Sequence, residues 1–308
     1  MNVIIVAILP TILLLVLGNM LRRRGFVPRE FWPSSDKLTY FVLFPALLIS
    51  KVSQVDLSRI DLSKVFIFVL LYFALMSLLA WGIYRLSRAQ ARQFSSLYQG
   101  VLRFNSYIYF AVIAAVWGQG ALAMSALVAG IMIPLVNICC VASFAVASGH
   151  FSWTNTLTTL VKNPLIIAAG LGFIANLFPL LLPQVLFDTL VILSKAALPL
   201  ALLSVGAAVR VKMLFASHHQ SCYRALWLDT VVRLILAPAI ALSLSSLLGI
   251  SQQVSVILVL FAAVPTATSS YILSRQLKGD ADLMAAIISL QTLLSIPTLI
   301  FWLSVLSM

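Results

Sequence analysis

The chain has 308 residues, of which 62% are hydrophobic and 9% are charged, and its mean hydropathy is +1.09. A soluble domain carries about 25% charged residues, so this composition excludes a water-soluble protein and indicates an integral membrane protein. The net charge of +12 does not indicate a nucleic-acid-binding protein, because the basic residues cluster in short loops between apolar runs.

The apolar runs recur along the whole chain at lengths near 20 residues, which predicts α-helical membrane spans rather than a β-barrel. The first run is predicted to be a span rather than a signal peptide, since no small-residue cleavage site follows it. The fourth and fifth spans are separated only by "WGQG". In chain order the ten predicted spans are 3–21, 38–54, 65–84, 98–117, 120–147, 161–181, 186–209, 225–248, 254–274 and 283–306.

The charges in the connecting loops predict the orientation. Among the loops that connect successive spans, numbered from the loop after the first span, the even-numbered loops hold only the basic residues Lys51, Arg59 and Lys64. The odd-numbered loops hold fourteen basic residues. Because basic loops stay in the cytoplasm, both termini are expected outside the cell (inner) membrane. The fourteen residues are Arg22, Arg23, Arg24, Arg29, Lys37, Arg85, Arg88, Arg92, Lys162, Arg210, Lys212, Arg224, Arg275 and Lys278.

Scarce residue types recur at a fixed spacing, which predicts an internal repeat. Pro10, Gly18 and Pro45 reappear 154 residues later as Pro164, Gly172 and Pro199, and Gly118 reappears 161 residues later as Gly279. An insertion in the basic loop 207–224 accounts for the change in spacing. We therefore expect two five-helix repeats, at 1–150 and 151–308. Five is an odd number, so the two repeats are expected to have opposite orientations.

Two predicted spans in equivalent places, the fourth and the ninth, are interrupted by polar residues. Span four contains "RFNSYIYF" from Arg103, and span nine contains "AAVPTATSSY" from Ala262. Proline breaks or kinks a helix, and a break survives in lipid only where its backbone groups find partners or line a cavity. Amide groups at the start of a half-helix favour an anion. The expected substrate-binding residues here are Asn105, Ser106, Pro265, Thr266 and Thr268; the alternative is that the hydroxyl groups bond back to their own helices.

Further polar residues lie inside predicted spans. Lys195 is near the middle of span seven and is a candidate substrate ligand, with snorkelling to the membrane surface as the alternative. Asn137 and Gln291 are expected to satisfy broken backbone or to bridge helices, although either could face the substrate.

Three charged residues are expected to form one cluster. Asp229 and Arg233 are four residues apart on span eight and can pair on one helix face, and Arg103 enters span four at a similar depth. One interpretation is a structural charge cluster. The other makes Asp229 a carrier of a proton or another cation, which would couple transport.

Several longer stretches resemble the auxin efflux carrier family of permeases, in particular its short prokaryotic members. They are "RFNSYIYFAVIAAVWG", "MIPLVNICCV", "KNPLIIAAGLG", "KAALPLALLSVGA" and the segment from "AAVPTATSSYILS" to "IFWL". The resemblance covers essentially the whole chain. The family asparagine of span four matches Asn105, its span-nine proline matches Pro265, and its asparagine after "PLV" matches Asn137. Family members often carry glycine and proline after the span-four asparagine, whereas "NSYIYFAV" has neither.

The resemblance implies an all-α fold of ten transmembrane helices in two inverted five-helix repeats, similar to bile-acid symporters. Spans one, two, six and seven would form a scaffold, and the other six would form a transport domain in which broken helices four and nine cross. Family members move organic anions such as auxin or dicarboxylates.

The expected function is therefore a secondary transporter of a small organic anion, a mono- or dicarboxylate or an auxin-like acid, working by alternating access. The alternatives from other classes are a membrane sensor without transport activity and an intramembrane enzyme. No cofactor and no metal are expected. The expected partners are the anion and the lipid bilayer, with a homodimer left open, and no nucleic acid is expected.

Overall fold

The structure is a computed structural model that describes residues 2–148, 158, 161–210 and 220–306. Lys212 and the predicted boundary between residues 150 and 151 lie outside these residues. In the described part every regular element is helical. The helices are α1 (Asn2–Arg23), α2 (31–52), α3 (Leu62–Ser87), α4 (Ala91–Leu102), α5 (Ser106–Ser148), α6 (Pro164–Leu177), α7 (Gln184–Ala208), α8 (220–247), α9 (Gln252–Ala263), α10 (Ser269–Gln276) and α11 (Ala281–Leu306).

Two of these helices contain a wider, π-helical turn. In α2 this turn is Thr39–Leu43, between Phe31–Leu38 and Phe44–Val52, and in α8 it is Val232–Leu236. Helix α5 is divided at Gly118, whose φ of 74° and ψ of −164° are not helical. A positive φ suits glycine because it has no Cβ atom, so the short "WGQG" stretch does separate the fourth and fifth predicted spans.

The protein is an all-helical, multi-pass membrane protein, and each of the ten predicted spans falls on helix. Two apolar helices, α6 and α9, are too short to cross a membrane by themselves. Among the described residues, six stretches are long and apolar enough: Ile5–Arg23, Leu62–Ser87, Ala91–Phe144, Gln184–Ala208, Tyr223–Leu247 and Ala281–Leu306.

The chain divides into two compact units, and each unit draws on both halves of the sequence. Unit 1 consists of Met1–Asp61, Tyr107–Pro134 and Leu157–Ala208. Unit 2 consists of Leu62–Ser106, Leu135–Thr156 and Val209–Met308.

Close helix packing at glycines builds unit 1. Helix α1 packs on α7, where a Cβ atom on Gly18 would overlap the backbone of Leu203. On the same pair of helices, a Cβ atom on Gly206 would overlap the backbone of Leu15. Small residues let helix backbones approach in membranes, where van der Waals packing drives helix association. These glycines therefore hold α1 and α7 together.

The segment Tyr107–Pro134 groups with unit 1, whereas the resemblance implies that spans four and five lie in the transport domain. The ring of Phe44 on α2 lies 4.6 Å from the ring of Tyr107 and 5.8 Å from that of Phe110. At Gly130 an added Cβ atom would lie 2.8 Å from Cβ of Ala169. Aromatic packing at one end and close helix contact at the other therefore fix this part of α5 to α2 and α6.

Unit 2 contains α3, α4, α8, α9, α10, α11 and the last part of α5. Its core is aromatic: the ring of Phe261 lies 4.3 Å from that of Phe104 and 5.9 Å from that of Tyr72. The indole of Trp302 on α11 donates a hydrogen bond of 2.9 Å to the carbonyl of Leu234 in the π-helical turn of α8. This unit carries both interruptions predicted from the sequence.

We expect Gly206→Ala to destabilise the protein, because the added methyl group overlaps the backbone of Leu15. Overpacking of this kind costs about 1–3 kcal/mol, so the melting temperature of the detergent-purified protein should fall. Gly170→Ala on α6 is the matched control, since nothing lies within 4 Å of its added Cβ and alanine is a better helix former than glycine. Equal melting temperatures for both variants would contradict the packing described for α1 and α7.

Candidate functional site

Two helices of unit 2 are interrupted where the sequence predicts it. The first break is residues 103–105, between α4 and α5, and Arg103 there has extended backbone with a ψ of 138°. The second break is residues 264–268, between α9 and α10. In the second break Val264 precedes Pro265, and proline pushes the preceding residue into extended backbone, here a ψ of 151°.

The two breaks meet each other. The backbone N–H of Asn105 donates a hydrogen bond of 2.8 Å to the carbonyl of Pro265. Each break therefore supplies a partner for backbone that its own helix leaves unsatisfied. The first break forms although residues 103–112 contain neither glycine nor proline. We call the two breaks together the crossover.

Arg233 links the two breaks through hydrogen bonds to carbonyl groups at the C-terminal ends of α4 and α9. Its Nε donates to the carbonyl of Val264 at 2.9 Å, Nη1 to that of Val101 at 3.1 Å, and Nη2 to that of Phe261 at 2.9 Å. The side chain is completely buried. The last carbonyls of a helix carry a partial negative charge, so the guanidinium satisfies broken backbone and compensates two helix ends at once.

Gln291 on α11 is a second bridge. Its Oε1 accepts a hydrogen bond of 2.9 Å from the backbone N–H of Thr266 in the second break. Its Nε2 donates to the carboxylate Oδ2 of Asp229 at 2.8 Å and to the carbonyl of Gly100 at 3.3 Å. The prediction that Gln291 satisfies broken backbone is confirmed.

Gly100 is the point on α4 where these partners converge. Its carbonyl also accepts a hydrogen bond from the hydroxyl of Thr266. A Cβ atom at this position would lie 2.6 Å from Oδ1 of Asp229. The carboxylate is therefore packed directly on the backbone of α4, which only glycine allows.

The three charged residues of the predicted cluster have different surroundings. Asp229 and Arg233 are both completely buried one turn apart on α8. The guanidinium bonds described above go to carbonyl groups, and the hydrogen bond to Asp229 comes from Gln291. Arg103 is half-buried in the first break, where its N–H donates to the carbonyl of Gln99 at 2.9 Å.

The structure brings some of the predicted substrate-binding residues together and leaves others apart. Asn105, Pro265 and Thr266 are buried at the crossover, and Ser106 and Thr268, which are half-buried, lie beside it. Asn137 is half-buried further along α5, and Lys195 is exposed on α7 in unit 1. The roles of these residues toward a substrate stay predictions.

Chemically, two helices begin at the crossover, while carbonyl groups at the ends of α4 and α9 are bonded to Arg233. Helix α5 begins directly after Asn105, and α10 begins after Thr268, whose side chain makes no capping hydrogen bond. On α10 the hydroxyl of Ser270 is buried and has no hydrogen-bond partner among the described residues. Helix N-termini bind anions through their free amides and positive dipole ends, so this arrangement suits a carboxylate.

Comparison with known proteins gives the class of this chain. The family model described as "Membrane transport protein" matches residues 148–303, just over half of the chain. The matched region contains the second break, Asp229, Arg233 and Gln291, and the first break lies outside it. The protein is thus a membrane transport protein, and it belongs to the auxin efflux carrier family. No curated protein matches the chain.

We expect Arg233→Lys to lower stability although it keeps the charge. A lysine ammonium cannot reproduce the planar set of donors that meets three separate carbonyl groups, and a hydrogen bond from a charged group is worth about 1.5–3 kcal/mol. The melting temperature in detergent should therefore fall clearly below that of the wild type. The exposed Arg275 on α10 supplies the control, Arg275→Lys. A variant at position 233 that melts like the control would show that the guanidinium bonds do not hold the crossover.

Proposed function

We propose that the protein is a secondary transporter that carries a small organic anion by alternating access and binds it at the crossover. The observation that carries this proposal is the hydrogen bond between Asn105 and Pro265, which joins the two breaks inside an apolar unit. Broken helices that point at each other's ends are a recurring substrate-site design in secondary transporters. The family match supports transport as the activity.

The charge distribution at the crossover favours an anion over a cation. The carbonyl ends of α4 and α9, which could coordinate a cation, are taken by Arg233. The remaining groups at the start of α5 and α10 are amide and hydroxyl donors. A mono- or dicarboxylate would accept hydrogen bonds from these donors and gain from both helix dipoles.

We also propose that the two halves are inverted repeats, and the register of the helices in unit 2 supports this. Helix α4 is Ala91–Leu102, and adding 161 to its bounds gives 252 and 263, which are the bounds of α9. The same shift places the first break, 103–105, on residues 264–266 of the second break. Equivalent segments of the two halves are thus interrupted at the same register.

Helix packing in unit 1 supports the repeat independently. Gly18 and Gly172 are 154 residues apart, as are Ile49 and Leu203. Gly18 packs on the backbone of Leu203, and a Cβ on Gly172 would lie 3.2 Å from the backbone of Ile49. The glycine contact of the first half therefore has its counterpart in the second.

Hydrogen bonds at the helix ends in unit 1 also recur at the spacing of 154 residues. Arg22 and Asn176 are 154 residues apart, as are Ser53 and Ala207. The guanidinium of Arg22 donates to the carbonyl of Ala207, and Nδ2 of Asn176 donates to that of Ser53 at 3.0 Å. Two equivalent side chains thus cap two equivalent helices, as a pseudo-twofold repeat requires.

A panel of labelled carboxylates tests the proposal. Purified protein in proteoliposomes should take up at least one of malonate, malate, benzoate and indole-3-acetate above the level of empty liposomes. Asn105→Ala should weaken binding roughly tenfold to a hundredfold, since a hydrogen bond to a charged group is worth about 1.5–3 kcal/mol. Asn105→Asp should be weaker still, because it places a like charge beside the anion.

Asn163→Asp is the matched control for these variants. Asn163 caps α6 in unit 1 by accepting from the N–H of Leu165 at 2.9 Å, and aspartate is an equally good N-cap. The control adds the same charge in unit 1 rather than unit 2 and should bind the acid like the wild type. Unchanged affinity in Asn105→Asp would place the substrate elsewhere.

We propose that both termini lie outside, because of the distribution of basic residues. Single cysteines at Ser307 and Ala91, in a protein whose three native cysteines are replaced by alanine, test this in intact cells. A membrane-impermeant maleimide should label position 307 and spare position 91, which begins α4 and is exposed. Labelling at 91 with protection at 307 would reverse the orientation.

A further inference from the structure

We propose that Asp229 is the proton-binding site of this transporter, so that a proton and the organic anion move together. This inference rests on the proposed function and adds the coupling ion to it. It is carried by the position of the carboxylate, which Gln291 links to the second break by two hydrogen bonds.

The carboxylate of Asp229 is incompletely satisfied. The residue is completely buried, and only Oδ2 is engaged, by the amide of Gln291 at 2.8 Å. Oδ1 is buried and has no hydrogen-bond partner among the described residues. Burying a carboxylate with a vacant acceptor is costly, and neutralisation by a proton relieves that cost. The structure therefore offers a specific atom, Oδ1, for the proton.

The surroundings of Asp229 can accommodate both charge states. The groups that face it are Arg233 on α8 itself, with the phenol of Tyr72 on α3 beside that arginine, the backbone of Gly100 on α4, and Gln291 on α11. Removing one member of a buried ion pair is normally destabilising, because the other charge is left uncompensated. Arg233 is an exception, since it keeps its bonds to three carbonyl groups. With Asp229 neutral, the guanidinium of Arg233 therefore still has partners for its donors.

The packing around the carboxylate selects a proton over a metal cation. Hard cations such as Ca²⁺ and Mg²⁺ take about six or more oxygen ligands at short distance. Here the carboxylate lies against the backbone of Gly100, so closely that a Cβ atom would be 2.6 Å from Oδ1. A proton needs no such shell, because it forms one covalent bond to Oδ1.

Protonation of Asp229 affects the second break through the hydrogen bonds of Gln291. While Asp229 is ionised, its bond from Gln291 is charge-assisted and therefore strong. The same Gln291 side chain holds the N–H of Thr266 at 2.9 Å. When the carboxylate becomes neutral that bond weakens, and Gln291 is freer to release the amide of the second break.

The anion and the proton favour each other at this site. A carboxylate bound at the crossover repels the negative charge of Asp229, so anion binding promotes protonation, and by linkage protonation promotes anion binding. The step is a proton transfer from a hydronium ion: an O–H bond forms at Oδ1, the O–H bond of the hydronium breaks, and water leaves. The aspartate changes from a charge of −1 to neutral, and the reverse transfer to water on the other side completes the cycle.

The test uses malonate or, if malonate is not taken up, the best acid of the panel. In proteoliposomes an inward gradient of one pH unit should raise wild-type accumulation by up to about tenfold. Asp229→Asn mimics the neutral carboxyl group, so it should keep exchange of internal for external acid and lose the stimulation by the gradient. Asp282→Asn is the control, since Asp282 is exposed at the start of α11, and it should behave like the wild type.

A second measurement tests whether a proton binds together with the anion, even if Asp229→Asn does not fold. Adding the acid to wild-type protein in weakly buffered detergent solution should remove about one proton from solution per bound anion, as a pH indicator would show. Binding of the acid without removal of a proton from solution would overturn the inference while leaving the transport proposal intact. A full response of folded Asp229→Asn to the pH gradient would do the same. Absence of uptake for every acid of the panel would instead overturn the proposed function.

Discussion

The crossover depends on one interaction, the contact of the Arg233 guanidinium with three backbone carbonyls. Two helices stop inside the apolar unit, and each leaves carbonyl groups that the hydrocarbon cannot satisfy. Arg233 supplies donors to Val101, Phe261 and Val264 together. The bond from Asn105 to Pro265 then joins the two breaks directly, and Thr266 bonds to Gln291 and to the carbonyl of Gly100.

Around this contact, the other polar residues of unit 2 form a connected set rather than separate features. Gln291 links the second break to Asp229, and the hydroxyl of Thr266 shares the carbonyl of Gly100 with it. Buried polar groups in a membrane are expensive, and a network repays that cost only when its members satisfy one another. Among the described residues, one atom without a hydrogen-bond partner is Oδ1 of Asp229, and the bonds of Gln291 link charge on that carboxylate to backbone in the break.

The sequence was sufficient to predict the helices and the breaks. The second break was predicted from Pro265, which has no N–H and constrains the residue before it. For the first break the polar residues around Asn105 were the only signal. The partners of Arg233 were not predictable, because spacing along α8 indicated a pair with Asp229 and could not show carbonyl groups contributed by α4 and α9. The grouping of Tyr107–Pro134 with unit 1 was also missed, since it depends on tertiary contacts of Phe44.

The organic anion is proposed to bind where the two broken helices meet. A cryo-electron microscopy map of the protein saturated with a transported carboxylate would locate the anion. We expect density for the carboxylate within hydrogen-bond distance of the start of α10 and of Asn105, with both helices interrupted. Density for the acid elsewhere, with helix continuing through residues 264–268, would contradict it.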